Sequence, residues 1–490
     1  MSTPTTARAS RLATARGRLI LLLLCAVGFI DFIDASIVNV ALPSIQHRLD
    51  LSVQSLQWIP SGYLLTYGGF MLLGGRAADL LGRRRILVAG TTLIALSSLA
   101  GGLAGDAGVL IAARLAQGVG AAMMLPAGLS LLTTTFTEGP DRTAAMGFWG
   151  GTGGLASAAG VFLGGVLTEG PGWRWVFLAN LPVCALVLVS VPLLLPRDEP
   201  VEKGTGFDLT GAILGTGGLL LLVYGLVKAP DQGWSDARTL GELAGAAVLL
   251  AAFVVNETRR ANPLMPLSIF RIKGLAAANV TMLIAAAGML SMFFFVTLYM
   301  QEVLGYSQIE AGSAFLPVTL GVGIAAGIVS KLFARTGTRP VIVAGGLIAA
   351  AGVFWLSRIP VHGSYAADLL PGLVVMSFGL GAIFVGVTTA ANSGVPAAQA
   401  GLAAALLNTN QQIGGALGLA IFTAVATSRT RDRLRTGHPA PDAYTSGFTI
   451  ALLVGAIFLA VAAIIALRAT NTRGEAVEEG AAQHPGALVA

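Results

Sequence analysis

The first long apolar stretch of the chain is LILLLLCAVGFIDFIDASIVNVAL, from Leu19 to Leu42. A helix needs ~20 apolar residues to cross a bilayer, whereas the apolar core of a secretory signal has only about 7 to 15. No small-residue cleavage site follows the stretch. We therefore expect it to form a retained first transmembrane helix.

The rest of the chain continues this pattern. Of its 490 residues, 55% are hydrophobic and 11% are charged, whereas soluble domains are about one quarter charged. The composition excludes an ordinary soluble domain and predicts an all-α integral membrane protein with fourteen spans. The predicted spans are 19–42, 54–75, 86–105, 109–132, 144–168, 176–196, 209–228, 239–256, 275–301, 311–333, 341–357, 369–391, 400–427 and 447–468.

The distribution of positive charge predicts the orientation. An even number of spans places both termini on one side of the membrane. If that side is the cytoplasm, the inner segments hold twenty of the 30 Lys and Arg residues and the outer segments hold nine. This bias predicts cytoplasmic termini and a location in the cell membrane. The segment SRTRDRLRTGHPAPDAY, 428–444, is a local exception with four Arg on the predicted outer side.

A weak internal repeat predicts how the spans are grouped. The loop GRAADLLGRRR (75–85) aligns with SKLFARTGTRP (330–340), so that Gly82 falls on Gly337. Such repeats place a binding site at the midplane between two halves. The predicted organisation is an N-terminal tail (1–18), a six-helix bundle (19–196), a two-helix insertion (197–274), a second six-helix bundle (275–468) and a C-terminal tail (469–490).

Signatures of enzymes and metal sites are missing from the sequence. None of the 4 His residues is paired with an acid at metal spacing, and no GxxxxGK[ST] loop occurs. Cys25 and Cys184 lie inside apolar runs, which favours neither an external disulfide nor a metal site. We expect no enzymatic activity, no metal, no nucleotide and no cofactor. The energy must then come from a gradient or from a partner subunit.

Two acids inside the first span are candidates for proton coupling. Asp31 and Asp34 lie one helical turn apart and so on one face. Ionisable residues within a span are costly and mark functional sites. A carboxyl group at this depth can take up and release a proton as its neighbours change. Asp34 is the favoured carrier and Asp31 the secondary one; the structural alternative is that these acids pair with an Arg to fix helix packing.

Arg114 is the basic residue that lies well inside a predicted span. At ~1.5 Å per residue, Arg114 lies about 8 Å and Asp34 about 12 Å below the outer ends of their spans. A guanidinium near Asp34 would favour the ionised acid, so that arrival of a proton would release Arg114 and change helix packing. A static structural pair is the alternative.

Polar and aromatic residues within the spans are candidates for the substrate cavity. Span thirteen is interrupted by NTNQQ, 408–412, whose amides should bond neighbouring helices or line a wet cavity. Most aromatic side chains at helical spacing belong to the core or to an interface belt. The substrate-cavity candidates are Trp58, Tyr63, Trp149, Phe294, Tyr299, Asn408 and Gln411.

Several motifs resemble those of the major facilitator superfamily. The pattern G-x3-D-x2-G-R-R-R in the loop after span two is similar to the signature loop of that family. The blocks DASIVNVALP (34–43), QW-x4-Y (57–63), RLAQGVGAA (114–122), WRWVFLANLP (173–182), YMQEVLGYS (299–307) and NTNQQIGGALG (408–418) resemble its fourteen-span drug/proton antiporter branch. The resemblance implies the major facilitator fold. It also implies a cytoplasmic gate in which Asp79 and Arg83 latch the two halves, together with Gly75, Gly82 and Arg84.

Span five resembles the antiporter motif of this branch. Its glycines include Gly150, Gly154, Gly160, Gly164 and Gly165, with the spacing that allows helices to cross closely. The family motif ends in Gly-Pro-x-x-Gly-Gly, and here Val161 occupies the position of the proline.

The expected function is export of small amphipathic organic compounds, such as drugs, antibiotics or secondary metabolites, in exchange for protons. A proton-linked uptake transporter and a non-transporting membrane sensor or scaffold are the alternatives. The expected partners are the substrate, protons and the lipid bilayer, with no nucleic acid, and we expect a monomer. Substrate identity is not readable from the sequence.

Overall fold

The computed structural model describes residues 12, 14–136, 140–198, 208–260, 263–393, 395 and 400–472, and within these ranges the regular structure is helical. Most of the predicted tails and residues 199–207 of the insertion lie outside the described residues.

The helices of the first half are α1 (Ala15–Leu49), α2 (Val53–Leu56), α3 (Trp58–Leu81), α4 (Arg83–Gly102), α5 (Ala107–Thr135), α6 (Pro140–Glu169), α7 (Trp175–Leu178) and α8 (Asn180–Leu194). The insertion forms α9 (Leu209–Gln232) and α10 (Ala237–Arg259), followed by a 3₁₀ turn (Leu267–Arg271). The second half contains α11 (Leu275–Leu298), α12 (Gln308–Ala314), α13 (Leu316–Thr336), α14 (Thr338–Leu356), α15 (Leu370–Asn392), α16 (Ala400–Arg435) and α17 (Ala440–Ala466). π-helical turns at Tyr299–Val303 and Tyr365–Leu369 extend α11 and precede α15.

The chain is a multi-pass membrane protein. Among the described residues, 12 helical segments are long and apolar enough to cross a membrane. The remaining two of the fourteen predicted spans, 54–75 and 144–168, coincide with α3 and α6, which are 24 and 30 residues long but are not among those twelve. The all-helical class predicted from composition is confirmed, and the count of fourteen spans stays a prediction.

The two ends of the bundle are named here after the predicted orientation. The outer end holds the junctions α1–α2, α4–α5 and α16–α17, and the inner end holds the junctions α3–α4 and α13–α14.

The aligned loops at the inner end have the same local structure in both halves. Gly82 and Gly337 adopt φ angles of +105° and +81°, a region that favours glycine. After Gly82, the carboxylate of Asp198 accepts hydrogen bonds from the amides of Arg84 and Arg85. After Gly337, the side chain of Asn471 accepts one from the amide of Arg339. In each half, the first amides of the third long helix are thus bonded by a side chain that follows the sixth long helix.

Close glycine contacts set the helix crossings within each half. A Cβ atom at Gly90 of α4 would lie 2.8 Å from the carbonyl oxygen of Gly120 of α5. In the second half, a Cβ at Gly352 of α14 would lie 2.6 Å from the carbonyl oxygen of Gly372 of α15. Neither position has room for a side chain. Because glycine lets two helix backbones approach closely, a protein with 64 glycines can be built of packed helices.

The two halves are joined at the outer end. The imidazole of His47 forms a hydrogen bond of 2.8 Å with the Glu302 carboxylate, the Gln301 side chain donates to the carbonyl of Val40, and the Ile309 amide donates to Glu169. Between described residues at the inner end, no hydrogen bond or ion pair connects the halves. The arrangement is therefore closed on the outer side.

The inserted pair α9 and α10 packs across the junction of the two halves. α9 contacts α3 of the first half and α16 of the second. At its outer end, Asp231 accepts a hydrogen bond from Gln54 and pairs with Arg431. The insertion thus holds both halves at once.

At the inner end of α9, Asp208 caps the helix. Its carboxylate accepts from the Gly211 amide and from Asn256, and Arg260 lies 3.5 Å away. Burial opposes its charge, but these hydrogen bonds and the Arg260 charge lower the pKa of the Asp208 carboxyl below its usual value. The cap therefore stays ionised at neutral pH.

Substituting Gly82 tests the loop that begins α4. Gly82→Ala should lower the free energy of unfolding by about 1–3 kcal/mol, because alanine is strained at this φ and its Cβ would press on the Asp198 carboxylate. Thermal unfolding of the purified protein in detergent measures the effect. Gly105→Ala is the control, since a Cβ there meets open space. Equal melting temperatures for the two variants would contradict this account of the loop.

Candidate functional site

Asp34 of α1 lies at the centre of a buried polar network. Its carboxylate is 2% exposed. Oδ2 accepts a hydrogen bond from Arg114 Nη1 at 2.7 Å, and Oδ1 accepts from the amides of Gln117 and Asn180, each at 2.7 Å. Helices α1, α5 and α8 therefore meet at one carboxylate.

Arg114 of α5 is 1% exposed and fully engaged. Besides Asp34, it donates from Nη1 to Gln117 Oε1 at 2.7 Å and from Nε to the carbonyl of Ile59 on α3 at 3.1 Å. Its guanidinium carbon lies 4.2 Å from the ring centre of Tyr63, a cation–π contact. The structure thus brings together Asp34 and Arg114, as their depths in the sequence suggested.

Three members of this network were not singled out in the sequence. Gln117 and Asn180 both donate to the hydroxyl of Ser98 on α4, at 2.9 and 3.3 Å. Gln117 lies one turn after Arg114, so its place on the same face was a signal that helical spacing offers. Asn180 lies within the WRWVFLANLP block. Ser98 carried no such signal, because a serine in an apolar span is common.

Asp31 occupies a second buried site next to the first. The hydroxyls of Tyr63 and Tyr67 on α3 donate to its carboxylate at 3.4 and 3.0 Å. Asp31 is 5% exposed, and no described basic side chain pairs with it. Tyr63 connects the two sites, because its hydroxyl is on Asp31 while its ring faces Arg114.

The Asp31 site reaches the second half of the protein. Gln412 of α16 lies beside Tyr67. The helices approach closely here, since a Cβ at Gly68 of α3 would lie 3.0 Å from Cβ of Gln412. A continuous chain of contacts therefore runs from Arg114 through Tyr63, Asp31 and Tyr67 to Gln412.

The residues of the predicted cytoplasmic gate lie together at the inner end. Asp79 and Arg83 form an exposed ion pair of 3.6 Å, and Arg84 donates to the carbonyl of Leu195. Gly75 lies near Pro126 of α5. All of these contacts are within the first half, and among the described residues no contact latches the two halves at this loop.

The glycines of span five lie on α6, which runs unbroken through Val161. A Cβ at Gly164 would lie 2.6 Å from the carbonyl oxygen of Ile37 on α1, and one at Gly165 would lie 2.7 Å from that of Gln308 on α12. Gly160 crosses α1 at Ser36. The surroundings of Gly150 and Gly154 lie outside what the structure describes.

The aromatic cavity candidates are divided between several places. Tyr63 belongs to the Asp31 site, Trp58 packs near Tyr224 of α9, and Trp149 lies between Gly28 of α1 and Gly128 of α5. Phe294 and Tyr299 are at most 1% exposed in the outer core of the second half.

The contacts of Phe294 and Tyr299 lie in the second half, and their role in a substrate cavity stays a prediction. Phe294 packs edge-on against Phe295, and the Tyr299 hydroxyl donates to the carbonyl of Pro360 at 2.6 Å. Both side chains are held within the second half, as core aromatic residues usually are, and neither joins the other candidates.

The amides of span thirteen have separate roles. Asn410 donates to Asn279 of α11 at 2.8 Å and so joins two helices of the second half. Asn408 and Gln411 share a helical face with Gly415, against which Leu64 and Leu290 of the two halves pack. Asn408 is exposed and Gln411 is half-buried. They therefore face the space between the halves, on the inner side of that leucine contact.

The comparison with protein families now decides the class of this helical bundle. Residues 24–419 match the Major Facilitator Superfamily. The chain belongs to this superfamily. The prediction made from the sequence motifs is confirmed, including the drug-exporting branch to which its relatives belong.

Similar proteins are named for resistance and export. The chain is 37% identical over 466 residues to the puromycin resistance protein pur8 of Streptomyces alboniger, covering 94% of this chain and 92% of that protein. It is 39% identical to the cephamycin export protein CmcT of Amycolatopsis lactamdurans, with 94% and 93% covered. It is 36% identical to the tetracenomycin C resistance and export protein of Streptomyces glaucescens, with 84% and 76% covered.

A solved structure has the same fold. A bacterial homologue of the human lysosomal transporter Spinster, in an inward-facing and unoccupied conformation, matches with a TM-score of 0.64 at 16% identity. The match covers 94% of this chain and 97% of that chain.

A double-mutant cycle tests whether Asp34 and Arg114 act as a pair. Asp34→Asn or Arg114→Gln alone leaves one buried charge uncompensated, which typically costs about 3–5 kcal/mol. The double variant should be more stable than the sum of the two losses predicts, by ~1–3 kcal/mol. Thermal unfolding in detergent measures all four proteins. Additive losses would mean that the two charges do not stabilise each other.

Proposed function

We propose that this protein exports small amphipathic organic compounds across the cytoplasmic membrane in exchange for protons. The observation that carries the proposal is the Asp34 carboxylate, buried within the membrane-spanning bundle and held by Arg114, Gln117 and Asn180. Ionisable residues at this depth are expensive and mark functional sites, which supports a carboxylate whose charge state changes during transport.

Protonation of Asp34 is the first step of the coupling scheme. A proton that binds the carboxylate removes the negative charge opposite Arg114. The guanidinium then keeps only neutral partners, the carbonyl of Ile59, the amide of Gln117 and the ring of Tyr63. This loss weakens the attachment of α1 to α5 and changes the packing of the first half.

Asp31 and Tyr67 carry this change toward the second half. Tyr63 touches both Arg114 and Asp31, and Tyr67 touches both Asp31 and Gln412. A shift of Arg114 therefore alters the hydrogen bonds of Asp31 with Tyr63 and Tyr67, next to the contact between α3 and α16. In this scheme Asp31 is the secondary proton site, and Tyr63 and Tyr67 are positioning residues.

The cargo would enter the space between the halves from the inner side. Asn408 and Gln411 offer amide groups there. Neutral amides can bond the polar groups of an amphipathic compound. The names of the relatives refer to puromycin, cephamycin, tetracenomycin C and lincomycin, which supports small antibiotics as the class.

The proposed topology has fourteen spans and cytoplasmic termini. α3 and α6 are long enough to cross, since 24 and 30 residues at ~1.5 Å each exceed the ~30 Å core of a bilayer. Tyr63, Tyr67 and the glycines of α3, and the glycines of α6, lower the mean hydropathy of these two helices without removing them from the membrane. The excess of inner Lys and Arg supports this orientation, and we propose a monomer in the cell membrane.

Replacing the proton carrier tests the mechanism. Asp34→Asn should abolish proton-driven export of puromycin while the protein still folds and inserts, because the amide cannot change its charge. The measurement is proton release from acid-loaded inverted vesicles on adding puromycin or lincomycin. Asp106→Asn is the matched control, since Asp106 caps α5 outside the network and asparagine caps equally well.

The sign of the proton movement separates export from uptake. An exporter releases luminal protons when cargo enters the vesicle, whereas a proton-linked uptake transporter moves both in the same direction. Undiminished active transport by Asp34→Asn would remove Asp34 from the mechanism.

Removing one hydroxyl tests the path to the second half. Tyr67→Phe keeps the ring but removes the bond to Asp31, so active export should fall about tenfold, the factor equivalent to ~1.4 kcal/mol. Substrate binding, measured by fluorescence quenching, should change less than turnover. Tyr224→Phe on α9 is the control. Equal export by the two variants would exclude the Tyr67 hydroxyl from coupling.

A further inference from the structure

One face of α3 lies against the second half. Gln57, Ser61, Leu64 and Gly68 follow the spacing of a helix and so form a single stripe. Leu64 lies 3.5 Å from a Cβ at Gly415 of α16, and a Cβ at Gly68 would lie 3.0 Å from Gln412. The stripe therefore runs along α16 and, through Ser61 and Gln57, toward the outer end.

One face of α16 packs against this stripe of α3. Gln412, Ala416, Ala420 and Thr423 follow the same helical spacing. Ala416 and Ala420 are buried in one apolar cluster with residues of α3, including Tyr63 and Leu64. The two helices are antiparallel, because Gln412 lies near Gly68 whereas Arg431 lies near Gln54 through Asp231. Thr423 therefore lies toward the outer end, as Gln57 and Ser61 do. We call this contact the α3/α16 seam.

The outer part of the seam buries polar groups that have no partner. Gln57, Ser61 and Thr423 are each 0% exposed. Both amide atoms of Gln57, the Ser61 hydroxyl and the Thr423 hydroxyl have no hydrogen bond within the part of the chain that the structure describes. Thr427, one turn beyond Thr423, also has an unpartnered hydroxyl. Each such group loses its hydration without a replacement.

Some hydroxyls elsewhere in the bundle avoid this cost, although others, such as those of Thr168 and Thr281, are also unpartnered. Thr91 and Ser97 of α4 are also buried, and each donates to the carbonyl of the preceding turn, at 2.8 and 2.6 Å. This bond within the helix is open to any Ser or Thr. Ser61 and Thr423 do not make it, so their hydroxyls are left for the environment across the seam. A permanent helix contact of the same size would be more stable with apolar side chains.

We propose that the α3/α16 seam is the outer gate of the transport path, and that Gln57, Ser61 and Thr423 form the surface that water and departing cargo contact when it opens. The inference rests on the proposed function, which requires an outward-open state. Opening loses the packing of Leu64, Ala416 and Ala420 and hydrates the polar groups. The two effects oppose each other, which keeps both states within reach of a proton-driven change.

The polar gate also fits the chemistry of the cargo. Amphipathic compounds carry hydrogen-bonding groups that must not be stripped of partners on the way out. An amide with a free donor and a free acceptor, as at Gln57, and two hydroxyls can exchange bonds with such groups in either sense. The seam would thus accept compounds of different structure without a charge requirement.

Cysteine accessibility tests the gate directly. In the Cys25→Ser, Cys184→Ser background, Ser61→Cys and Thr423→Cys are each reacted from the outside with a charged methanethiosulfonate reagent in right-side-out vesicles. Labelling should be slow at rest and at least several-fold faster under an inwardly directed proton gradient. Ser97→Cys is the matched control, because Ser97 is buried near the outer end of α4 within the first half and should stay unreactive throughout.

The labelling experiment tests the gate independently of the identity of the cargo. State-dependent labelling at positions 61 and 423 supports the gate even if puromycin proves not to be the cargo. Labelling no faster than at position 97 under every imposed gradient would overturn it, although export measured in the same vesicles would leave the proposed function intact.

Apolar replacement of the unpartnered residues provides a second test, in which we expect the variant to be more stable than the original protein. Gln57→Leu combined with Ser61→Ala removes the unpartnered groups, so the closed seam should become more stable. The melting temperature should rise while the export rate falls several-fold. Ser97→Ala should change neither in this way. A variant that lowers the melting temperature, or one that exports at the original rate, would contradict a gating role for these side chains.

Discussion

The ion pair between Asp34 and Arg114 is the constraint on which the first half depends. Both groups are almost completely buried, and each loses several kcal/mol of hydration, on the order of the penalty for any buried ion. The pair is tolerable only because Gln117, Asn180 and the Ile59 carbonyl fill the remaining hydrogen-bonding positions. This requirement fixes the relative placement of α1, α3, α5 and α8, and glycine contacts such as Gly118 of α5 on the carbonyl of Tyr63 of α3 let the backbones approach closely enough.

The two halves share a framework and differ in chemistry. Gly82 with Asp198 and Gly337 with Asn471 build the same turn from an acid in one half and an amide in the other. Of the described residues of α11 to α17, the buried polar side chains are neutral. The first half therefore holds the groups that can bind a proton, and the second offers amides and hydroxyls. Proton coupling thus requires contact between unlike halves, which Tyr67 and Gln412 provide.

Much of this organisation follows from sequence and some of it does not. Apolar length predicted the helices, and matched depth predicted that Asp34 and Arg114 could meet. The depth of a residue in the membrane does not show which neighbouring helix its side chain faces. Gln117, Asn180 and Ser98 were therefore not assigned to Asp34. Hydropathy cannot distinguish a core face from a cavity face, so the cavity role of the aromatic residues Phe294 and Tyr299 stays a prediction. The seam could not be predicted from the sequence for a related reason. A buried hydroxyl can bond its own helix, as that of Ser97 does, or remain unpartnered, as that of Ser61 does. The outcome depends on the side-chain rotamer and on the neighbouring helix.

The inserted helices connect these features. α9 packs on α3 and α16 along the side of the seam, with Thr216 directly against Gly69. At the outer end, Asp231 binds Gln54 of the first half and Arg431 of the second. A carboxylate that serves both halves cannot keep both partners if their outer ends separate. Opening must therefore cost α9 one of these bonds, while its inner end stays fixed to α10 by Asp208 and Asn256. The insertion is thereby placed to oppose opening of the seam that the unpartnered polar groups favour, and the balance of the two sets how readily the outer side opens.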